Sequence, residues 1–152
     1  MAFRNEIHSE ATIEASADEV WAALTDFGSY AEWNPGMKSV HGETSVGSRL
    51  TIQFALNGGR EMTMRPTVLV AEPGHELRWL GRLLVPGLFD GEHRFTIEER
   101  EPGRVTFKQD ERFRGLLVPF LRKMIEVDTL ATFHEVNEAL ARRVVELRTN
   151  VA

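Results

Sequence analysis

"ASADEVWAALTDFGSYAEWNP", residues 15–35, holds two helical turns whose starts and stops are written in the residues themselves. Ser16 with Glu19 three positions on makes a capping box, each side chain satisfying the other's backbone N–H at a helix N-terminus. Val20, Trp21 and Leu24 then share one helical face, and Trp21 reads as plain core. A second turn starts at Ser29, carries Trp33, and is stopped at Asn34, because Pro35 bars the residue before it from helical backbone angles.

On either side of this stretch the period changes to two. Phe3, Ile7, Ala11 and Ile13 are interleaved with Arg4, Glu6, His8 and Glu14, which predicts a strand over 3–14. From Gly36 to about Phe113 alternation continues. "RLTIQFAL" (49–56) puts Leu50, Ile52, Phe54 and Leu56 on one face, and Asn57-Gly58-Gly59 is a hairpin signal. "EMTMRPTVLV" (61–70) reads as the next strand, with Met62, Met64 and Val68 inward and Arg65 outward. "EPGHE" (72–76) and "REPGR" (100–104) read as turns that separate "LRWLG", "FDGEHRFTIEE" and "RVTFKQDERF". About seven strands result, six of them joined consecutively as an antiparallel meander.

The chain closes with a predicted helix over 119–148. Leu130, Phe133, Val136, Leu140, Val144 and Leu147 form one stripe, with Glu135, Glu138, Arg142 and Glu146 opposite. Before 128 the stripe loses phase. Phe120, Leu121, Met124 and Ile125 lie on the other side, while Arg122 and Glu126 take the stripe's azimuth. A continuous helix would be about 43 Å long at 1.5 Å per residue. A domain this size has a radius of gyration near 15 Å, so such a helix spans the whole molecule.

Composition narrows the function classes. The chain has 152 residues and a formal charge of −5, with a pI near 5.6 that argues against nucleic acid. Absence of cysteine removes disulfides, thiolate catalysis and zinc–thiolate sites. The early charges of "MAFRNEIHSEATI" do not suit a signal peptide, and no apolar run approaches the roughly 20 residues that span a bilayer. The expectation is a cytoplasmic protein, one domain over residues 1–152.

The order of elements resembles the helix-grip fold of the START/Bet v 1-like (SRPBCC) superfamily, in particular its bacterial polyketide cyclase/dehydratase-like branch. The residues carrying the resemblance are those at 15–35, "GEHRFTIEE" at 91–99 and "FHEVNEALARRVVEL" at 133–147. It implies an α+β fold: a seven-stranded curved antiparallel sheet wrapped round a long C-terminal helix, with two short helices after the first strand. It also implies a cavity between sheet and helix for a hydrophobic small molecule, lipid- or polyketide-like, without a cofactor. Because that superfamily shares no catalytic motif, chemistry has to be read from individual residues.

On 91–99 the inward face set by Phe95 and Ile97 carries His93 with it, and on 104–113 the face set by Val105, Phe107 and Phe113 carries Gln109 and Glu111. Closure around Glu101-Pro102-Gly103 places Ile97 opposite Phe107, Phe95 opposite Gln109 and His93 opposite Glu111. Directly opposed Cβ atoms lie about 5 Å apart, within reach of a His–carboxylate hydrogen bond. His93, Glu111 and Gln109 are thus the catalytic candidates for a cyclase/dehydratase-type enzyme. An ion pair that merely satisfies itself explains the same residues. His134 reads as solvent-exposed, and His8, His41 and His75 have no metal-ligand spacing. Trp33, Phe54, Trp79, Phe95, Phe113 and Phe133 are the expected interior contacts for an apolar ligand.

Leu-Leu-Val-Pro occurs twice, in "GRLLVPGLF" (81–89) and "RGLLVPFLRKMI" (114–125). In a helix-grip arrangement these become opposing lips, with Leu83, Leu84, Val85, Leu88, Leu116, Leu117 and Phe120 lining a ligand portal and Phe89 a further ligand contact. A homodimer interface through 116–125, as in a protein-interaction module, is the second reading. Membrane contact is the third and is not expected, since Arg82, Arg114, Arg122 and Lys123 are only four bases.

Overall fold

The computed structural model describes residues 3–56 and 59–151. Strand β1 (Phe3–Ile13) is followed by helix α1 (Ala17–Thr25), a 3-10 turn (Phe27–Ser29) and helix α2 (Tyr30–Trp33). Seven strands follow: β2 (Met37–His41), β3 (Thr51–Ala55), β4 (Glu61–Met64), β5 (Thr67–Glu72), β6 (Glu76–Arg82), β7 (Asp90–Glu101) and β8 (Arg104–Gly115). A 3-10 turn (Val118–Phe120), a π-helical stretch (Met124–Thr129) and helix α3 (Leu130–Val151) complete the chain.

Local chemistry sets α1 and α2 as the residues require. Ser16 Oγ accepts from Glu19 N at 3.2 Å, and Glu19 Oε1 accepts from Ser16 N at 3.0 Å. Asn34 ends α2 in an extended conformation, and its Oδ1 accepts from Gly36 N and Met37 N, both at 2.9 Å. The Tyr30 hydroxyl donates to the Leu24 carbonyl, and burial pushes the phenol above the ordinary tyrosine range.

The strands form two antiparallel sheets, not one: β1-β8-β7-β6-β5 and β2-β3-β4. The run expected as a single strand at 61–70 is broken at Pro66, which has no N–H to extend the ladder. Its halves go to different sheets, which makes eight strands where seven were expected. Bonds from Leu50 N to Pro66 O (2.8 Å) and from Val68 N to Ser48 O (2.9 Å) stitch the sheets together across the break. Strands β3 and β4 pair as a hairpin from Ile52–Met64 to Ala55–Glu61. Of the expected turn residues, Asn57 and Gly58 lie outside the described residues.

The phase break in the last helix has a physical cause. The chain is helical from Arg122 to Val151, but residues 124–129 are π-helical. A π turn holds one residue more than an α turn, and one residue is worth about 100° of rotation. That rotation brings Ile125 and Leu121 back under the helix on the side of Phe133. Ile125 is fully buried and Leu121 half-buried, contrary to the expectation that both face away; Phe120 and Met124 do point outward.

Helix α3 is tied to α1 at its far end. Arg148 donates to Glu19 Oε2 at 3.0 Å and to Glu19 Oε1 at 3.2 Å. This guanidinium, with the Ser16 amide, holds the Glu19 carboxyl down to about 2 from its ordinary 4.5. The folded value lies below the unfolded one, so the pair's contribution is complete above pH 4.5 and is lost as pH falls through about 2. The pair is more than a third exposed, so screening limits it to about 1 kcal/mol or less. Urea midpoints of the wild type and Arg148→Gln should therefore differ at neutral pH and converge as pH drops from 4.5 towards 2. A gap that persists through that range would detach the effect from Glu19.

Candidate functional site

The register of the long hairpin is Ile97 opposite Phe107, Phe95 opposite Gln109 and His93 opposite Glu111. His93 Nδ1 stands 3.0 Å from Glu111 Oε1, and His93 Nε2 stands 3.0 Å from Gln109 Oε1. From Gln109 the bonds run on into α3. Its Nε2 donates to the Phe133 carbonyl (3.2 Å) and to Asn137 Oδ1 (2.7 Å), and Asn137 Nδ2 donates to Ser9 Oγ on β1 (3.0 Å). Ser9, His93, Gln109 and Asn137 are all buried; Glu111, at ion-pair distance from His93, is the accessible end of the network, with 16% of its side chain exposed.

This network fixes a proton. The Phe133 carbonyl can only accept, which sets the orientation of the Gln109 amide and leaves its Oε1 towards His93. His93 Nε2 must then carry a hydrogen. His93 Nδ1, on the other side of the ring, lies within ion-pair distance of the Glu111 carboxylate.

Gly91 makes room for the pair. A Cβ at position 91 would lie 2.8 Å from Glu111 Oε2, a flexible side-chain end and not backbone. Gly91→Ala should therefore displace the carboxylate from His93 with a stability loss of about 1 kcal/mol. Imidazole nitrogen chemical shifts would report the change of partner. Shifts identical to wild type would show that Glu111 has other room.

The polar residues form a layer between two apolar clusters. Toward α1 lies the larger, including Leu77, Trp79, Phe95, Ile97, Phe107 and Leu140. Toward the lips lies the smaller, Ile7, Phe113, Val118, Ile125 and Phe133, against which Phe89, Leu121 and Leu130 pack. Aromatic rings pack on one another between sheet and helix. Ring centroids are 4.1 Å apart for His93–Phe95, 4.8 Å for His93–Phe133 and 5.0 Å for Trp79–Phe95. Trp33 and Phe54 are half-buried on the larger cluster.

Concavities of about 370 and 270 Å³ lie on the other face of the sheet. The larger runs over cross-strand ion pairs such as Arg112–Glu6 (2.9 Å) and Arg94–Asp110 (3.5 Å), and Ile7 and Glu111 also border it. His8, bonded there to Asp110, is raised above the ordinary histidine range by that bond.

The two lips meet. Leu116 N donates to Gly87 O and Leu117 N to Leu88 O, both at 3.0 Å. Leu83, Leu88, Phe89 and Leu117 are half-buried there, whereas Leu84 and Phe120 project into solvent, 85% and 82% exposed. Arg65 and His134 are exposed, as the alternation and the helical stripe require. Sequence reasoning missed Ser9 and Asn137. Ser9 shares the parity of Ile7 and Ala11, and Asn137 falls four residues after Phe133 and three before Leu140, so both positions were marked by their apolar neighbours.

Residues 4–145 match the profile of a family described as "Polyketide cyclase / dehydrase and lipid transport". No curated protein matches the chain. Among solved structures, the Zhui aromatase/cyclase from a Streptomyces species aligns with a TM-score of 0.77 at 15% identity, over 93% of this chain and 94% of that one. A START superfamily protein from Mycobacterium smegmatis gives 0.73 at 20% identity over 93% and 98%. A norcoclaurine synthase point mutant from Thalictrum flavum, in complex with a transition-state analogue, gives 0.74 at 13% over 97% and 98%. At these identities the likeness is one of fold.

Proposed function

The chain belongs to the polyketide cyclase/dehydrase and lipid transport family, and on that premise we propose that it takes up a hydrophobic small molecule at the lip end of the sheet–helix layer. The observation that carries this reading is the divided core. The small cluster of Ile7, Phe113, Val118, Ile125 and Phe133 is cut off from the main core by polar side chains. Its roof is a 3-10 turn and a π-helical stretch, not regular helix. Such a cluster can give way to an apolar ligand whose one polar oxygen meets the exposed end of the network. The test uses 1,3-diphenylpropane-1,3-dione as probe, followed by backbone amide chemical shifts. Saturable binding should move the amides of 113–133. Shifts confined to the outer face of the sheet would overturn the reading. Native mass spectrometry of the purified protein would report any ligand already aboard, together with the subunit count.

A second reading, acid–base catalysis on the bound molecule, is favoured by the 3.0 Å approach of Glu111 to the His93 ring. His93 is buried and its Nε2 is held by Gln109, so the more accessible Glu111 is the member left to touch a substrate, with His93 and Gln109 positioning it. With the diketone's central CH₂ deuterated, the Glu111 carboxylate would take a carbon-bound deuteron, leaving the enolate and a COOD group that exchanges with water before the carbon is reprotonated. Glu111→Gln should slow that exchange by roughly 100-fold or more while binding persists. An unchanged exchange rate would leave a binding protein and no enzyme.

A further inference from the structure

The lip end breaks two local rules at one residue. Leu84 is held 85% exposed, at φ +62°, a backbone conformation that favours Gly or Asn. On the same two segments Phe120 is 82% exposed, and Leu116 and Val85 are each 56% exposed. The bonds between residues 87–88 and 116–117 hold the two segments side by side, so these tips form one patch, not scattered apolar residues. Charge changes sign at the same boundary. Residues 77–89 and 112–125 hold six of the 18 Lys and Arg and none of the 23 Asp and Glu. Arg82, Arg114, Arg122 and Lys123 are exposed next to the apolar tips, on a chain whose formal charge is −5. No described helix is long and apolar enough to cross a bilayer, so any attachment through this end is peripheral.

We propose that this end docks on an anionic lipid surface: Leu84, Leu116 and Phe120 enter the acyl boundary while Arg82, Arg114, Arg122 and Lys123 meet the headgroup phosphates. Charge selects this occupant over a second copy of the chain. A two-fold contact through the patch would set one lip's cations against the other's, with Asp90, already paired with Arg82 at 3.9 Å, and Glu126 as the nearest carboxylates to offset Arg114, Arg122 and Lys123. An anionic bilayer satisfies both the cations and the tips.

The test is co-sedimentation of the full chain with vesicles of phosphatidylcholine alone or with one-third phosphatidylglycerol. Binding is expected only to the anionic vesicles and should weaken in high salt. Each surface cation contributes about fivefold to partitioning, so Arg122→Gln with Lys123→Gln should lower it about 25-fold. Phe120→Glu should abolish it. All three positions are exposed, so melting temperatures should not change. Failure to bind anionic vesicles, or binding indifferent to these variants, would overturn the proposal. So would a concentration-dependent dimer that Phe120→Glu dissolves. None of these outcomes bears on diketone uptake, which is measured without lipid.

Discussion

Gly115→Ala should destabilise the fold by about 4 kcal/mol, visible as a large fall in the urea midpoint. Gly115 sits at φ +137°, where an L side chain is strained by about 1–3 kcal/mol. A Cβ there would lie 2.4 Å from Leu88 O, 2.6 Å from Leu88 C and 2.9 Å from Gly87 O. These are backbone atoms and cannot rotate aside. The same two carbonyls accept from Leu117 N and Leu116 N, so moving them also weakens two hydrogen bonds worth about 1 kcal/mol each. A loss under about 1 kcal/mol would mean that the lips are not held together as described.

Gln109→Leu should cost about 3–5 kcal/mol, because it strands two buried polar atoms at once. His93 Nε2–H and Asn137 Oδ1 both lose their partner, and each unsatisfied group costs about 1–3 kcal/mol. The diagnostic comparison is with variants that also replace His93 by Phe and Asn137 by Leu. A buried network removed whole can be nearly neutral, whereas one broken in the middle is not. Chemical denaturation of the single, double and triple variants should show the loss shrinking as the network is dismantled. Additive losses would show that the residues act separately.

Legibility in the sequence followed the strength of the local signal. Ser16 and Glu19 could hardly do anything else ahead of a helix, and both capping bonds are present. The pairing of His93 with Glu111 was readable because "REPGR" fixes the turn and apolar parity fixes the face. A one-residue slip would have turned both side chains outward. The out-of-phase Leu121 and Ile125 announced a discontinuity, but not its kind. Hydrophobic spacing cannot tell a helix that shows its apolar side to solvent from one that absorbs an extra residue in a π turn. Pro66 did signal a break, yet not that the next strand would join a different sheet, because that choice depends on distant pairing with β6. The left-handed backbone of Leu84 sits in a three-residue turn closed by Val85 N donating to Leu83 O at 2.8 Å, and nothing in the neighbouring residue types foretold it.

The polar layer also marks where the molecule should come apart first. On one side of it twenty buried apolar residues cohere; on the other there are five. A fault line of this kind makes two cooperative units of unequal strength. Backbone amides of 116–129 should exchange with solvent through partial openings that leave α1 and the far half of α3 protected, so the weaker unit can melt and re-form many times within the lifetime of one folded molecule.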